Sequence, residues 1–127
     1  MADAEQLAHD FHGALVAGDW KALRALFHSD VTWTLPGDNA ISSAAQGVDA
    51  VVERAQLLAS YGLSFALEHV LLSRDNMALG LHNTAERDGI RLDEHLATVC
   101  RLRDSRIFEI ETFVSDVPGM NHFFAKS

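Results

Sequence analysis

Residues 79–100 read LGLHNTAERDGIRLDEHLATVC and contain the strongest local signal in the chain. At their centre, Asp88-Gly89 separates two runs in which apolar and polar residues alternate, a pattern typical of a hairpin with a two-residue loop. A type I′ turn needs a positive φ at both loop positions, and Asp-Gly is one of the pairs that adopt it most readily. Because such a turn fixes the strand register, we predict that Asn83 lies opposite Glu94.

The predicted register places the side chains of the hairpin on two faces, because successive residues of a strand point to opposite sides of the sheet. One face is polar and carries His82 opposite His95. The other face is apolar except for Asn83 and Glu94, and we expect it to pack against the helices. Its apolar members are Leu79, Leu81, Ala85, Leu92, Leu96 and Cys100.

The sequence around the hairpin completes an α+β pattern. Apolar residues recur at helical spacing in residues 3–17 and 48–61, and a shorter helix is predicted after Asp19, whose side chain suits a helix N-cap. Residues 31–35 alternate and predict a strand, which is followed by a loop through Gln46. The second half of the chain, which includes the hairpin, predicts an antiparallel meander of four strands.

This order of elements predicts a single α+β domain over residues 1–127. We expect a cone in which a curved antiparallel sheet wraps over three N-terminal helices. A cone of this kind is open at one end, and such mouths are where small ligands bind.

The composition excludes several classes of protein. The chain has 127 residues, 48% of them hydrophobic, and a net charge of −8, so we expect a soluble domain that does not bind nucleic acid through its phosphates. No apolar run approaches the length of about 20 residues that a membrane helix needs, and no membrane partner is expected. The single cysteine, Cys100, excludes a disulfide framework and a four-thiolate zinc site, which favours a cytoplasmic location.

Several short motifs are shared with a known superfamily. They are AGDW (17–20), VTWTLPG (31–37), GVDAV (47–51), TAERDG (84–89), RDSRI (103–107) and residues 116–124. On these motifs the chain resembles the NTF2-like superfamily, and specifically its SnoaL-like branch, which is related to ketosteroid isomerases. The resemblance implies the cone fold and a homodimer formed through the outer face of the sheet. The superfamily includes isomerases, polyketide cyclases, dehydratases and ligand carriers, so the fold alone names no reaction.

The residues that perform steroid isomerisation in that superfamily have no counterparts here. The resemblance places the isomerase tyrosine at Phe11, its basic carboxylate at Leu35 and its protonated aspartate near Ala97 or Thr98. This argues against steroid isomerisation by that mechanism, although other groups in the same cavity could perform acid–base chemistry. Phe11 and Leu35 are therefore expected to contact the substrate as part of the cavity wall.

Glu94 is the candidate catalytic acid or base. On the inner face it would be a carboxylate among apolar neighbours, where desolvation raises the pKa of a carboxyl group towards neutrality. In the other placement it lies near the open end of the cone and meets water or an arginine. Asn83, Thr98 and Thr112 are candidates for holding a substrate oxygen, and Trp33 is a candidate for an aromatic wall over the ligand.

His69 is the second catalytic candidate, because imidazole titrates closest to neutral pH. Its orientation depends on the turn between the second and third strands of the half-chain. A two-residue loop would place Glu68 and Val70 inside. A three-residue loop would place Leu67, His69 and Leu71 inside, and the two leucines favour this arrangement slightly.

The residues thus indicate proton transfer on a small, apolar carbonyl or polyketide-like molecule, by an isomerase, cyclase or dehydratase that needs no cofactor. The alternative is a ligand-binding or dimerisation module without chemistry. No metal is expected at the facing His82 and His95, because a tetrahedral zinc site needs further ligands beside them.

Overall fold

The computed structural model describes residues 3–126. The helices of this range are α1 (Ala4–Ala17), α2 (Trp20–Ala25), α3 (Val48–Ser60) and α4 (Val117–Phe123). Its strands are β1 (Phe27–Leu35), β2 (Ser43–Gln46), β3 (Ser64–Ser73), β4 (Asn76–Arg87), β5 (Ile90–Arg103) and β6 (Arg106–Val114). The sequence predicted all of these except the short strand β2 and the helix α4.

The strands form a six-stranded sheet in the order β2-β1-β6-β5-β4-β3. Four of its five neighbouring pairs are antiparallel, and three of these form the predicted meander, but β1 and β6 run parallel. A parallel pair needs a long crossover connection, and here that connection is α3 together with the rest of the meander. The pairing of the first and last strands is therefore a long-range feature, and the turns of the sequence carry no information about it.

The hairpin that organises the sheet has the predicted register. Asp88 and Gly89 both have positive φ, +51° and +78°, as a type I′ turn requires. Asn83 is paired with Glu94, and their side chains are buried on the inner face. The expected separation of faces is confirmed, because Leu79 and Cys100 on this face are completely buried.

Helix α1 lies against the inner face of β3 and β4. Its apolar stripe of Leu7, Phe11 and Leu15 is buried. The side chain of Asp3 caps its N-terminus, and Gly18, with φ +67°, ends it in the left-handed conformation that glycine adopts most easily. None of the helices in residues 3–126 is both long and apolar enough to cross a membrane.

The two-residue loop after β3 turns His69 outward, and a β-bulge within this strand turns Glu68 outward as well. The loop between β3 and β4 has two residues, and Val70 faces inward opposite Leu79. The register then shifts, so that Glu68 and His69 together lie opposite Gly80. Beyond this bulge Leu67 is paired with Leu81 and faces inward again. The side chains of Glu68 and His69 consequently lie outside and are exposed.

The expectation that His69 faces the cavity is therefore wrong. A Cβ placed on Gly80 would lie only 3.3 Å from the Cβ of His69, which shows that the histidine covers the outer surface of that glycine. Its imidazole is separated from the interior by the sheet itself. Leu71, which was expected inside with it, is also exposed.

Candidate functional site

A narrow hollow lies between the inner face of the sheet and the helices α1, α3 and α4. Its apolar lining consists of Phe11, Leu15, Trp33, Leu35, Ile41, Leu58, Leu63, Phe65, Leu81, Leu92, Leu96, Val114, Met120 and Phe124. Its polar lining consists of Asn83, Glu94, Thr98 and Thr112. All of the predicted site residues except His69 thus line one hollow.

The hollow is small in this conformation. The volume open to the centre of a water molecule is about 40 Å³. This is room for only a few water molecules, each of which needs a cavity of at least about 10–15 Å³. Drug-sized ligands occupy sites of about 300–1,000 Å³, and a ligand of that size requires the walls to move outward.

Glu94 is buried in this hollow, with 3% of its surface exposed. Its Oε1 accepts hydrogen bonds from the backbone N–H of Asp116 at 3.0 Å and from the Ser115 hydroxyl at 3.4 Å. Burial raises the pKa of Glu94, and the negative charges of Asp116 and Asp93 raise it further, whereas the two hydrogen bonds lower it. The placement at the open end beside water or an arginine is therefore not the one observed.

Asn83 faces the hollow beside its cross-strand partner Glu94. It is 7% exposed, and among residues 3–126 its Oδ1 has no hydrogen-bond partner. Leaving a buried acceptor unpaired costs about 1–3 kcal/mol. Opposed residues of an antiparallel pair have Cβ atoms about 4.5–5.5 Å apart, so one ligand atom can meet both the amide and the carboxyl group.

Two threonines and a tryptophan form a short hydrogen-bonded chain in the wall. The indole Nε1–H of Trp33 donates to Thr112 Oγ1 at 3.1 Å, and the hydroxyl oxygens of Thr98 and Thr112 are 3.2 Å apart. These groups carry three protons between them and make two hydrogen bonds. One hydroxyl proton is left over, and it can be donated to a ligand oxygen in the hollow.

The loop of residues 36–42 closes the hollow against α4. Asn121 Oδ1 accepts hydrogen bonds from the backbone of Asp38 and from Asn39 Nδ2, both at 2.8 Å. Gly37 has φ +95°, and a side chain on it would overlap the Asn121 amide, so this closure needs glycine. Sequence patterns do not indicate the contribution of this loop, because Ile41 is the one large apolar residue of a segment that has no periodicity.

The wall formed by α4 was also missed, although the sequence carries a signal for it. Asp116 caps the helix through its side chain, and Pro118 lies in the first turn. An N-cap aspartate followed closely by proline is typical of a helix start. Met120 of this helix lines the hollow, and so does Phe124, the first residue after the helix.

A curved sheet packs on helices around an apolar hollow with a few inward polar groups. The chain belongs to the SnoaL-like domain family, whose sequence model matches residues 8–110. The resemblance inferred from the motifs is thereby confirmed.

Relatives of known sequence and structure agree with this assignment. The uncharacterized protein Rv0034 of Mycobacterium tuberculosis (strain ATCC 25618 / H37Rv) is 28% identical over 98% of this chain and 97% of its own length. The structure of Bal32a, from a soil-derived mobile gene cassette, has a TM-score of 0.88 and 28% identity over 97% of this chain and 99% of its own.

More distant structures show that the fold is shared. An NTF2-like protein from Burkholderia xenovorans LB400 has a TM-score of 0.82 at 18% identity, covering 95% of each chain. TerC, co-crystallised with polyporic acid, has a TM-score of 0.83 at 12% identity, covering 98% of this chain and all of its own. The NTF2-like α+β fold expected from the sequence is therefore confirmed.

Proposed function

We propose that this protein is a cofactor-independent enzyme that transfers protons on a small, apolar, carbonyl-containing molecule, as an isomerase, cyclase or dehydratase does. One observation carries the proposal: Glu94 and Asn83 are paired across the sheet in an apolar hollow, and the buried Asn83 Oδ1 has no partner in the described chain. Two polar groups kept there at a cost in stability are expected to serve a ligand.

In the proposed reaction, Glu94 acts first as the base. Its carboxylate removes a proton from a carbon next to the substrate carbonyl, and the electrons of the C–H bond move onto the carbonyl oxygen. The spare hydroxyl proton of Thr98 or Thr112 stabilises the resulting enolate by hydrogen bonding. The unpaired Asn83 Oδ1 accepts a hydrogen bond from a hydroxyl group of the substrate. Glu94, now neutral, returns the proton to another atom of the substrate. A carboxyl group with a raised pKa suits both steps near neutral pH.

The class of ligand follows from the lining and from the family. The wall is mostly apolar, and its aromatic members are Phe11, Trp33, Phe65 and Phe124. TerC, which has the same fold, was co-crystallised with polyporic acid. These observations support a planar, polyketide-like substrate with at least one carbonyl oxygen.

A second candidate function is ligand binding without chemistry. Two observations favour it. The resemblance places the steroid isomerase residues at Phe11, at Leu35 and near Ala97 or Thr98, none of which is acidic or a tyrosine, and His69 lies outside the hollow. In this case Asn83 and Glu94 only hold the polar end of a bound molecule.

Proton transfer in D₂O distinguishes the two functions. The untagged protein is incubated with a metabolite extract in D₂O, and retained molecules are identified by native and denaturing mass spectrometry. An enzyme exchanges deuterium into its ligand or removes water from it, and Glu94→Gln abolishes the mass change while the fold is kept. Glu111→Gln, the same substitution on the exposed outer face of β6, is the control and leaves the change intact. A ligand that the wild-type protein retains with unaltered mass contradicts catalysis and supports binding alone.

A further inference from the structure

Three potential metal ligands meet on the outer face of the sheet, opposite the hollow. Glu68, His82 and His95 each present one ligand atom, and these atoms lie within 4.8 Å of one another. We refer to these residues as the outer cluster. The sequence indicated only its two histidines, because the third ligand depends on the bulge in β3.

The hairpin register and the bulge together assemble the outer cluster. His82 and His95 are directly paired across β4 and β5, and their rings are stacked with centroids 4.2 Å apart. The extra residue of the bulge turns Glu68 to the same side, where its Oε1 lies 3.7 Å from His95 Nδ1.

Asp93 orients one of these ligands. Its Oδ1 lies 2.6 Å from His82 Nε2, so a neutral His82 donates its Nε2–H to the carboxylate and keeps an unprotonated Nδ1. Metal-binding histidines commonly donate their second ring nitrogen to a carboxylate in this way, which fixes the tautomer and increases the basicity of the ligand.

We propose that the outer cluster binds a divalent transition-metal ion of the zinc class through His82, His95 and Glu68. Two imidazoles and one carboxylate are a donor set that Zn²⁺ accepts, with water in the fourth position of its tetrahedron. Zn–N and Zn–O bonds are about 2.0–2.2 Å long, so the ligand atoms must draw closer than they are now. All three side chains are at least partly exposed and can turn to do so. The bound ion joins β3 to the central hairpin.

Titration of the untagged, EDTA-treated protein with ZnCl₂ tests the proposal. Isothermal calorimetry should show one Zn²⁺ per chain, and the ion should raise the melting temperature. His82→Gln and His95→Gln should each weaken binding at least tenfold. Both residues are on the surface, so the variants are expected to fold, which circular dichroism verifies.

Two further variants separate this site from incidental histidine binding. His69→Gln changes an exposed histidine of the same face that is outside the outer cluster, and it should leave the affinity unchanged. Asp93→Asn should weaken binding by about 10–100-fold, as expected for a residue that orients a ligand. Zinc affinity that is the same in wild type, His82→Gln and His95→Gln, or that is lost in His69→Gln, would overturn the proposal. Glu94→Gln should not affect it, so this test is independent of the proposed reaction.

Discussion

Replacing Asn83 with leucine should make the protein more stable and less active. Asn83 is 7% exposed, and its Oδ1 has no hydrogen-bond partner among residues 3–126. Leucine removes this unpaired acceptor, and its extra volume enters the adjacent hollow, which has about 40 Å³ of free space. The substitution therefore relieves a desolvation cost without crowding the core.

The expected gain is the cost of the unpaired group, about 1–3 kcal/mol in the free energy of unfolding. Unfolding entropies of about 2.1 cal/mol/K per residue imply, for a chain of 127 residues, a shift of about 4 °C in melting temperature for each kcal/mol. The Asn83→Leu variant should consequently melt about 4–11 °C above the wild type. Its rate of deuterium exchange into the retained ligand should fall at least tenfold, because leucine makes no hydrogen bond to the substrate.

Asn39→Leu is the matched control, because Asn39 is also buried but both polar atoms of its side chain have hydrogen-bond partners. Its Nδ2 donates to Asn121 at 2.8 Å, and its Oδ1 accepts from the backbone N–H of Ile41 at 2.9 Å. Leucine at this position leaves the buried N–H of Ile41 without an acceptor and should lower the free energy of unfolding by about 1–3 kcal/mol. Two buried asparagines should thus respond with opposite signs.

Urea unfolding followed by circular dichroism measures both variants, with equal slopes against denaturant as the check that the denatured state is unchanged. If Asn83→Leu is less stable than the wild type, Asn83 is satisfied in the folded protein and the argument that it is reserved for a ligand fails. A stabilised variant that still exchanges deuterium at the wild-type rate would refute its role in the reaction while keeping the energetic argument.

Three further predictions concern the hollow and the outer face. Folding raises the pKa of Glu94 above its ordinary value of 4.5, so the contribution of Glu94 to stability is complete below pH 4.5 and is lost as the pH rises through the pKa of the folded state. Urea unfolding between pH 4 and 8 should therefore show the wild type losing stability relative to Glu94→Gln. Parallel stability curves for the two proteins would contradict this prediction. Thr112→Val removes the acceptor of the Trp33 indole and should cost about 1–3 kcal/mol, measured by the same assay, whereas an unchanged midpoint would show that the bond contributes nothing. The homodimer inferred from the resemblance stays a prediction. Phe113 is 53% exposed on the outer face, so light scattering should show a dimer for the wild type and a monomer for Phe113→Glu. A monomeric wild type would refute the prediction.

The features that could be predicted from the sequence are those that local chemistry determines. The Asp88-Gly89 turn fixes a register, and that register alone places Asn83 and Glu94 together on the buried face. The same alternation identified Thr98 as inward. Asn83, Glu94 and Thr98 could therefore be predicted from local sequence, because all three lie on the strands of a single hairpin, whereas Thr112 lies on β6.

The features that were missed depend on contacts between distant segments. The segment Ser43–Gln46 has little intrinsic preference for a strand and becomes β2 by pairing with β1. The bulge at Glu68 is invisible to a count of alternating residues, because one extra residue reverses the faces of everything before it. The bulge moved Glu68 to the surface, whereas His69 lies outside because the loop after β3 has two residues.

The bulge and the turn also explain how one sheet can carry the two proposed sites. Glu94 and His95 are neighbours in the chain, yet one lies in the apolar hollow and the other on the outer face, because strand residues alternate. A change at either site therefore leaves the other in place as long as the register holds. A shift of one residue in the hairpin would instead exchange the two faces and bury the histidines, so both proposals share a dependence on the register while their residues can be tested independently.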